Sequence, residues 1–168
     1  LKPLENYGGK GIVKMEGDQV EDNGEVLTYS DFVKKYTQNP IPYLAMKFLK
    51  NVSNGDKRVV VVNGKVLGAS LRMPAKGNWL ANVAQGGYAV ETDITAAEYD
   101  IAAYIAPILN KKGIIVFGFD TLEDDHGKRM LSEINTLSIG GFNDATHSSG
   151  HNVAEEAVKQ IWNYILSN

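Results

Sequence analysis

Asp120, Glu133 and Asn135 carry the oxygens a hard metal ion prefers, and their spacing places them together. If two strands pair across a turn centred on His126-Gly127, Asp120 stands directly opposite Glu133. Asn135, two residues further on, then points to the same face. Facing Cβ atoms in a sheet lie about 4.5–5.5 Å apart, and two carboxylates at that separation repel unless a cation or proton lies between them. Few, hard oxygen donors suit Mg²⁺ bridging to phosphates. A turn of odd length would reverse the parity. The alternative is a solvated acidic hairpin, since Glu123, Asp124 and Asp125 make the whole segment acidic.

The basic residues and glycines complement this face. Lys2 precedes Gly8-Gly9-Lys10-Gly11, whose backbone N–H groups could wrap an anion, although a plain turn between strands would show the same composition. The pattern is neither a Walker loop nor a dinucleotide fingerprint. Arg58 and Arg72 suit bidentate capture of carboxylate or phosphate, or else are strand-end charges reaching into solvent. A strict two-residue turn at Asn63-Gly64 sends these two arginines to opposite sides of the hairpin unless a bulge or strand end re-aims one. Met46-Lys47-Phe48-Leu49 reads as a core strand or the wall of an adenine pocket. His147 and His151 have a metal-like spacing but fall in a Ser/Gly loop with no helix to hold them. Trp79, Trp162 and Tyr164 read as packing residues.

The elements that must position these groups follow from local signals. Residues 12–16 form a strand, and a polar loop with Asp18, Glu21, Asp22, Asn23 and Gly24 follows. Thr28-x-x-Asp31 opens a helix with Phe32, Val33 and Tyr36 on its apolar face, ended by Asn39-Pro40-Ile41-Pro42. Residues 43–49 are a strand, and 58–62 and 65–73 form a hairpin about Asn63-Gly64. A glycine-rich loop spans 74–87. Thr95-x-x-Glu98 is a capping box opening a helix to Asn110, with Ile101, Ile105, Ile108 and Leu109 inward and Pro107 as a kink. Strands at 114–120 and 130–135 precede a helix capped by Asn152, which buries Val153, Ala157, Ile161 and Ile165. This order is mixed rather than alternating, so the class is α+β with antiparallel hairpins.

Composition narrows the options. The chain has 168 residues, 17 Lys+Arg, 20 Asp+Glu, 43% hydrophobic residues and no Cys. That is enough for one domain with a real core. A formal net charge of −3 offers no footprint for nucleic acid or an anionic membrane. No apolar run approaches the ~20 residues of a membrane span. Without Cys there is neither a disulfide nor a thiolate-ligated metal. Leu1-Lys2-Pro3-Leu4 has no initiator Met and no signal-peptide layout, and reads as a strand end entering a loop; a fragment is expected.

Taken in order, these pieces resemble the ATP-grasp superfamily, most closely its prokaryotic glutathione synthetase branch. The carrying residues are Lys2-Pro3, Gly8-Gly9-Lys10-Gly11-Ile12, Gly55-Asp56-Lys57-Arg58, Arg72-Met73-Pro74, Asn82-Val83-Ala84-Gln85-Gly86-Gly87, Gly118-Phe119-Asp120 and Glu133-Ile134-Asn135. The resemblance covers roughly residues 1–141. It implies an α+β ATP-grasp C-terminal lobe with a mixed, largely antiparallel sheet and flanking helices. It further implies an ATP-dependent ligase that phosphorylates a carboxylate and lets an amine attack the acyl phosphate, as when γ-glutamylcysteine and glycine give glutathione. By the same resemblance, Lys2, Gly8, Gly9, Lys10, Gly11, Lys47, Phe48, Leu49 and Asp56 bind ATP. Asp120, Glu133 and Asn135 hold two Mg²⁺ ions, with Mn²⁺ as an alternative. Arg72 is catalytic at the reacting carboxyl, and Arg58, Asn82, Gly86, Gly87 and Ser138 contact substrate.

Three departures bear on the substrates: Leu80 stands where the family usually has a basic residue, residues 136–141 lack its usual arginine, and Met46-Lys47 replaces its usual hinge pair. The family's N-terminal substrate domain and part of its ATP-grasp fold are expected to precede Leu1, so the chain by itself is expected to be inactive. The partners implied are ATP and small molecules, not nucleic acid or membrane, with a homo-oligomer in the full-length protein. ATP dependence and the lack of a signal imply the cytoplasm. The rival readings are an ATP-grasp ligase for another amino acid or peptide, and a nucleotide-binding module without catalysis.

Overall fold

The computed structural model describes residues 1–6, 8–82, 86–137 and 139–167, and the chain divides into two compact units, Leu1–Phe48 and Leu49–Asn168.

The first unit holds β1 (Lys2–Pro3), β2 (Val13–Glu16), β3 (Gln19–Asp22), β4 (Glu25–Thr28), α1 (Tyr29–Gln38) and β5 (Tyr43–Leu44). β1 pairs with β5, and β2, β3 and β4 form an antiparallel meander. The segment read as a polar loop is thus two strands. Its Asn23-Gly24 is a hairpin turn of the same type as Asn63-Gly64, with Asp22 opposite Glu25. Thr28 caps α1 by accepting from Asp31 N at 3.1 Å. Val13, Val20 and Phe32 form the core, with Tyr36 and Tyr43 packed against it, while Val33 faces outward. The strand expected over 43–49 is only Tyr43–Leu44, and a 3₁₀ turn, Lys50–Asn54, follows Leu49.

The second unit is a five-stranded antiparallel sheet in the order β10-β9-β6-β7-β8. Its strands are β6 (Asp56–Val62), β7 (Lys65–Met73), β8 (Tyr88–Val90), β9 (Val116–Glu123) and β10 (Arg129–Asn135). Helix α2 (Ala96–Asn110) covers one face, packing Ala102, Ile105 and Ala106 on Val59, Val61, Ala69, Phe117 and Phe119. Helices α3 (Phe142–Ser149) and α4 (Val153–Ser167) cover part of the other, packing Ala145, Val153 and Ala157 on Val60, Val62 and Leu67. Alternation sends Val59 and Val61 one way and Val60 and Val62 the other, which is why β6 reads as a continuous apolar run.

Three expectations change. The helix α3 replaces the Ser/Gly loop and carries His147. Ile108 on α2 and Ile165 and Trp162 on α4 are exposed rather than packed. Helix α2 reaches Asn110 as expected, with Pro107 inside it. β9 extends past Asp120 to Glu123, and the acidic turn beyond it is tied to the 3₁₀ segment: Asn51 Nδ2 donates to Asp124 O at 2.6 Å and Asn54 Nδ2 to Glu123 Oε1 at 2.8 Å.

Candidate active site

Two β-bulges decide which side chains meet. From the Asn63-Gly64 turn the ladder runs Val62 opposite Lys65 and Val61 opposite Val66. Leu67 then has no partner, and the register resumes with Val60 opposite Gly68. The shift sets Arg58 opposite Ser70 and Asp56 opposite Arg72. Both arginines therefore share one face, the re-aiming that an unbulged hairpin forbids.

The β9–β10 hairpin reaches its arrangement by the same device. The connection is a three-residue loop, Asp125-His126-Gly127, closed by Asp124 N donating to Lys128 O at 2.8 Å. That loop is odd in length, which taken alone would turn Glu133 away from Asp120. Ser132 is left unpaired between Leu131, opposite Thr121, and Glu133, opposite Asp120. Glu133 therefore faces Asp120 as expected, although a bulge and not the turn puts it there. Asn135 lies opposite Gly118 on the same face.

On this face, beyond α3, four charges alternate. Arg72 donates from Nε and Nη2 to Asp56 at 2.5 and 2.8 Å, and its Nη2 also lies 2.9 Å from Asp120 Oδ2. Arg58 grips Asp120 with both Nε and Nη2, the latter at 2.8 Å from Oδ2. The Arg58 stem runs between two glycines: a Cβ on Gly118 would lie 3.1 Å from its Cδ, and one on Gly141 3.2 Å from its Cγ. Arg58 Nη1 reaches Gly140 O at 3.5 Å. Burial pushes the Asp56 carboxyl above its ordinary value against the pull of Arg72. For Arg72 burial acts to lower the value, but Asp120 and Asp56 outweigh it and hold the guanidinium charged.

Among the described residues, two polar groups of this face have no hydrogen-bond partner. Ser70 Oγ is fully buried and unpartnered, and Asn135 Nδ2 is buried without a partner. An amide can turn its oxygen where its nitrogen lies, so Asn135 is an uncommitted donor of the kind a cation takes up. No group of three His, Asp or Glu converges among the described residues. Two carboxylates and an amide are what the strand register supplies, a hard-oxygen set that fits Mg²⁺.

Of the remaining expected residues, Lys2, Gly8, Gly9, Lys10, Gly11, Lys47 and Phe48 belong to the first unit, where Lys2 pairs with Leu44 and Gly8, Gly9 and Gly11 all adopt positive φ. Glycine adopts such φ values without the strain a side chain would bring. Leu49 opens the second unit, and Gly86 and Gly87 lie before β8, Gly87 N donating to Asn82 O at 3.1 Å. Ser138 lies outside the described residues, as do residues 83–85 of the quoted glycine motif. Sequence reasoning misses Ser70 altogether, and does not place Gly118, Gly140 or Gly141 against Arg58. Simple alternation from Arg72 would have found Ser70 once the bulge was known.

Comparison with known proteins settles the family. The family described as "Prokaryotic glutathione synthetase, ATP-grasp domain" matches residues 1–150. This chain belongs to that family. The glutathione synthetase of Prochlorococcus marinus subsp. pastoris is 29% identical to it over 163 residues, 96% of this chain and 49% of that protein. That of Buchnera aphidicola subsp. Schizaphis graminum is 37% identical over 139 residues, 82% of this chain and 40% of that protein. The chain spans about half the length of the curated relatives it matches. Among solved structures, the ATP-grasp ligase PsnB complexed with minimal precursor superposes with a TM-score of 0.51 at 13% identity, over 82% of this chain and 43% of that one. That likeness is one of fold. The α+β class and the ATP-grasp resemblance read from the sequence therefore stand. No helix among the described residues is long and apolar enough to cross a membrane.

Proposed function

We propose that this chain is the nucleotide- and metal-binding portion of an ATP-dependent carboxylate–amine ligase of glutathione synthetase type. The observation that carries the reading is the convergence of Arg58, Arg72, Asp120 and Glu133 on one sheet face, in a chain of this family. Asp120, Glu133 and Asn135 would hold the Mg²⁺ ions, which neutralise phosphate charge and orient it for in-line transfer. Arg72 meets the substrate carboxylate and stabilises negative charge developing on the carboxyl oxygens as the amine attacks the acyl phosphate. Arg58 sits beside the substrate. The family resemblance assigns ATP contacts to Lys2, Gly8, Gly9, Lys10, Gly11, Lys47 and Phe48 in the first unit and to Leu49 and Asp56 in the second, and a glycine loop of that kind serves to keep water from an acyl phosphate. Such chemistry belongs with the cytoplasmic ATP pool.

The substrates on this reading are γ-glutamylcysteine and glycine. A different amino acid or peptide is favoured by one observation: Gly140 and Gly141, in the segment that departs from the family pattern, touch Arg58 itself. The decisive experiment titrates the chain with Mg-ADP by calorimetry. It then follows phosphate release and product mass in the longest protein that contains the chain, with γ-glutamylcysteine plus glycine and with a panel of other carboxylates and amines. Amine-dependent phosphate release supports the ligase. Nucleotide binding without turnover on any pair leaves a non-catalytic module, and no nucleotide binding at all sinks the reading.

A further inference from the structure

We propose that Arg72 and the divalent cation compete for Asp120, and that Asp56 is the positioning residue that receives Arg72 when the cation binds. This rests on the metal reading above and concerns how the protein's own charges regulate it.

Asp120 is held by three contacts from two arginines. Its Oδ2 receives Arg58 Nη2 at 2.8 Å and lies 2.9 Å from Arg72 Nη2, and its Oδ1 receives Arg58 Nε. The carboxylate side chain is only 6% exposed. A divalent ion entering there would meet two guanidinium groups with little solvent to screen them, so one arginine has to yield.

Geometry selects which. Arg58 has both of its Asp120 bonds, a stem confined between Gly118 and Gly141, and a contact to Gly140 O. Arg72 holds Asp120 by one nitrogen only and has a second, bidentate acceptor in Asp56, directly across the β6–β7 ladder. Releasing Asp120 takes from Arg72 one contact of three and leaves its charge paired. The two arrangements, Arg72 shared between Asp56 and Asp120 or resting on Asp56 alone, form a two-state element. An anion that draws Arg72 away from Asp120 favours the same state as the cation. Anion and cation binding are then coupled, and reciprocally so.

The test is a double-mutant cycle read by Mn²⁺ affinity, measured by electron paramagnetic resonance on the whole 168-residue chain. Arg72→Met should tighten Mn²⁺ binding about tenfold, and Asp56→Asn should weaken it by a similar factor although Asp56 is no ligand. In the Arg72→Met background, Asp56→Asn should have no effect, because Asp56 acts through Arg72. Asp56→Glu should restore part of the affinity. If Asp56→Asn weakens Mn²⁺ equally with or without Arg72, Asp56 is only a distant negative charge and the proposal is overturned. A wild type that binds Mn²⁺ as tightly as Arg72→Met overturns it too, while the metal reading survives. If no variant binds Mn²⁺ any better than Asp120→Asn does, the metal reading falls first and the inference with it. Should a variant fail to fold, NMR on the unmodified chain decides. Saturating Mg²⁺ should abolish the coupling across the Arg72–Asp120 hydrogen bond and preserve that across Arg72–Asp56, and persistence of the former in the Mg²⁺ complex would refute the exchange.

Discussion

The two faces of strands β6 and β9 carry charge in opposite ways. Lys57 and Thr121, immediate neighbours of Arg58 and Asp120, point toward α2, where Glu98 is wholly buried. Glu98 accepts from Lys57 Nζ at 3.0 Å, Thr121 Oγ1 at 2.8 Å, Thr95 N at 2.8 Å and Thr95 Oγ1 at 2.9 Å. Lys57 also donates to Asp93 O at 2.7 Å. Every oxygen there is used. On the other face Ser70 Oγ and Asn135 Nδ2 are orphaned, and Arg72 divides itself between two carboxylates. A buried network with all its bonds made clamps strands to a helix, whereas one with orphans and shared donors has capacity left for ligands. On the function proposed above, structure falls to one face and binding to the other.

The largest test of that contrast removes one partner of the buried pair. Glu98→Gln or Lys57→Met should lower stability by about 3–5 kcal/mol in urea melts, because either leaves its counterpart buried and uncompensated. Replacing both should recover much of the loss. Arg72→Met should differ in kind: it also costs stability, because Asp56 loses its bidentate partner, but in addition it should reduce turnover in the ligase assay by roughly 10²–10³-fold. If Arg72→Met leaves turnover intact, or Glu98→Gln lowers it beyond its effect on the folded fraction, the division of labour between the faces is wrong.

Acid titration separates the faces by sign. Burial alone would raise the Glu98 carboxyl, but the Thr95 N–H, Lys57 and Thr121 together hold it below its ordinary value. Its contribution is therefore complete above the unfolded Glu value of about 4.3 and is lost as pH falls through the lower folded value. Asp56 is raised, so its contribution is complete below the unfolded Asp value of about 3.9 and is lost as pH rises through the higher folded value. Stability measured against pH should thus lose its acid-side fall in Glu98→Gln and its fall on the rising side in Asp56→Asn. The smallest effects come from single hydroxyls. Thr121→Val strips a donor from Glu98 and should cost about 1–3 kcal/mol, whereas Ser70→Ala removes an unpaired group and should be neutral or slightly stabilising. Equal losses at the two positions would erase the distinction.

Much of the local structure was legible because its causes are local. Thr28, Thr95 and Asn152 cap the helices they were expected to cap, Asn152 Oδ1 accepting from Glu155 N at 3.1 Å. The Asn63-Gly64 hairpin is present, and the same dipeptide at 23–24 was passed over because polar neighbours hid its strands. Helix α3 is not legible in the sequence because Asn, Asp, Thr, His and Ser are weak helix formers and it is only eight residues long; it is held by tertiary packing of Ala145 against Leu67 and its neighbours. Ile108 and Ile165 continue an apolar stripe in sequence while lying outside the arc that their helices bury.

Chain order and residue chemistry by themselves determined the caps, the hairpin turns, the mixed class and the oxygen-bearing and basic groups that the family resemblance organises. Which of those groups meet was decided by the tertiary structure. Side-chain direction in a strand has period two, so a single unpaired residue reverses everything beyond it, and nothing local announces that residue. Leu67 is the clearer case. It turns into the core with Val60, Val62, Ala145 and Val153, and the next residue, Gly68, follows on the same side with no side chain to compete for the space. The partners that make this favourable lie on helices some 75–90 residues later, about half the chain away. Only when those helices pack does Arg72 come round to face Asp56, Arg58 and Asp120.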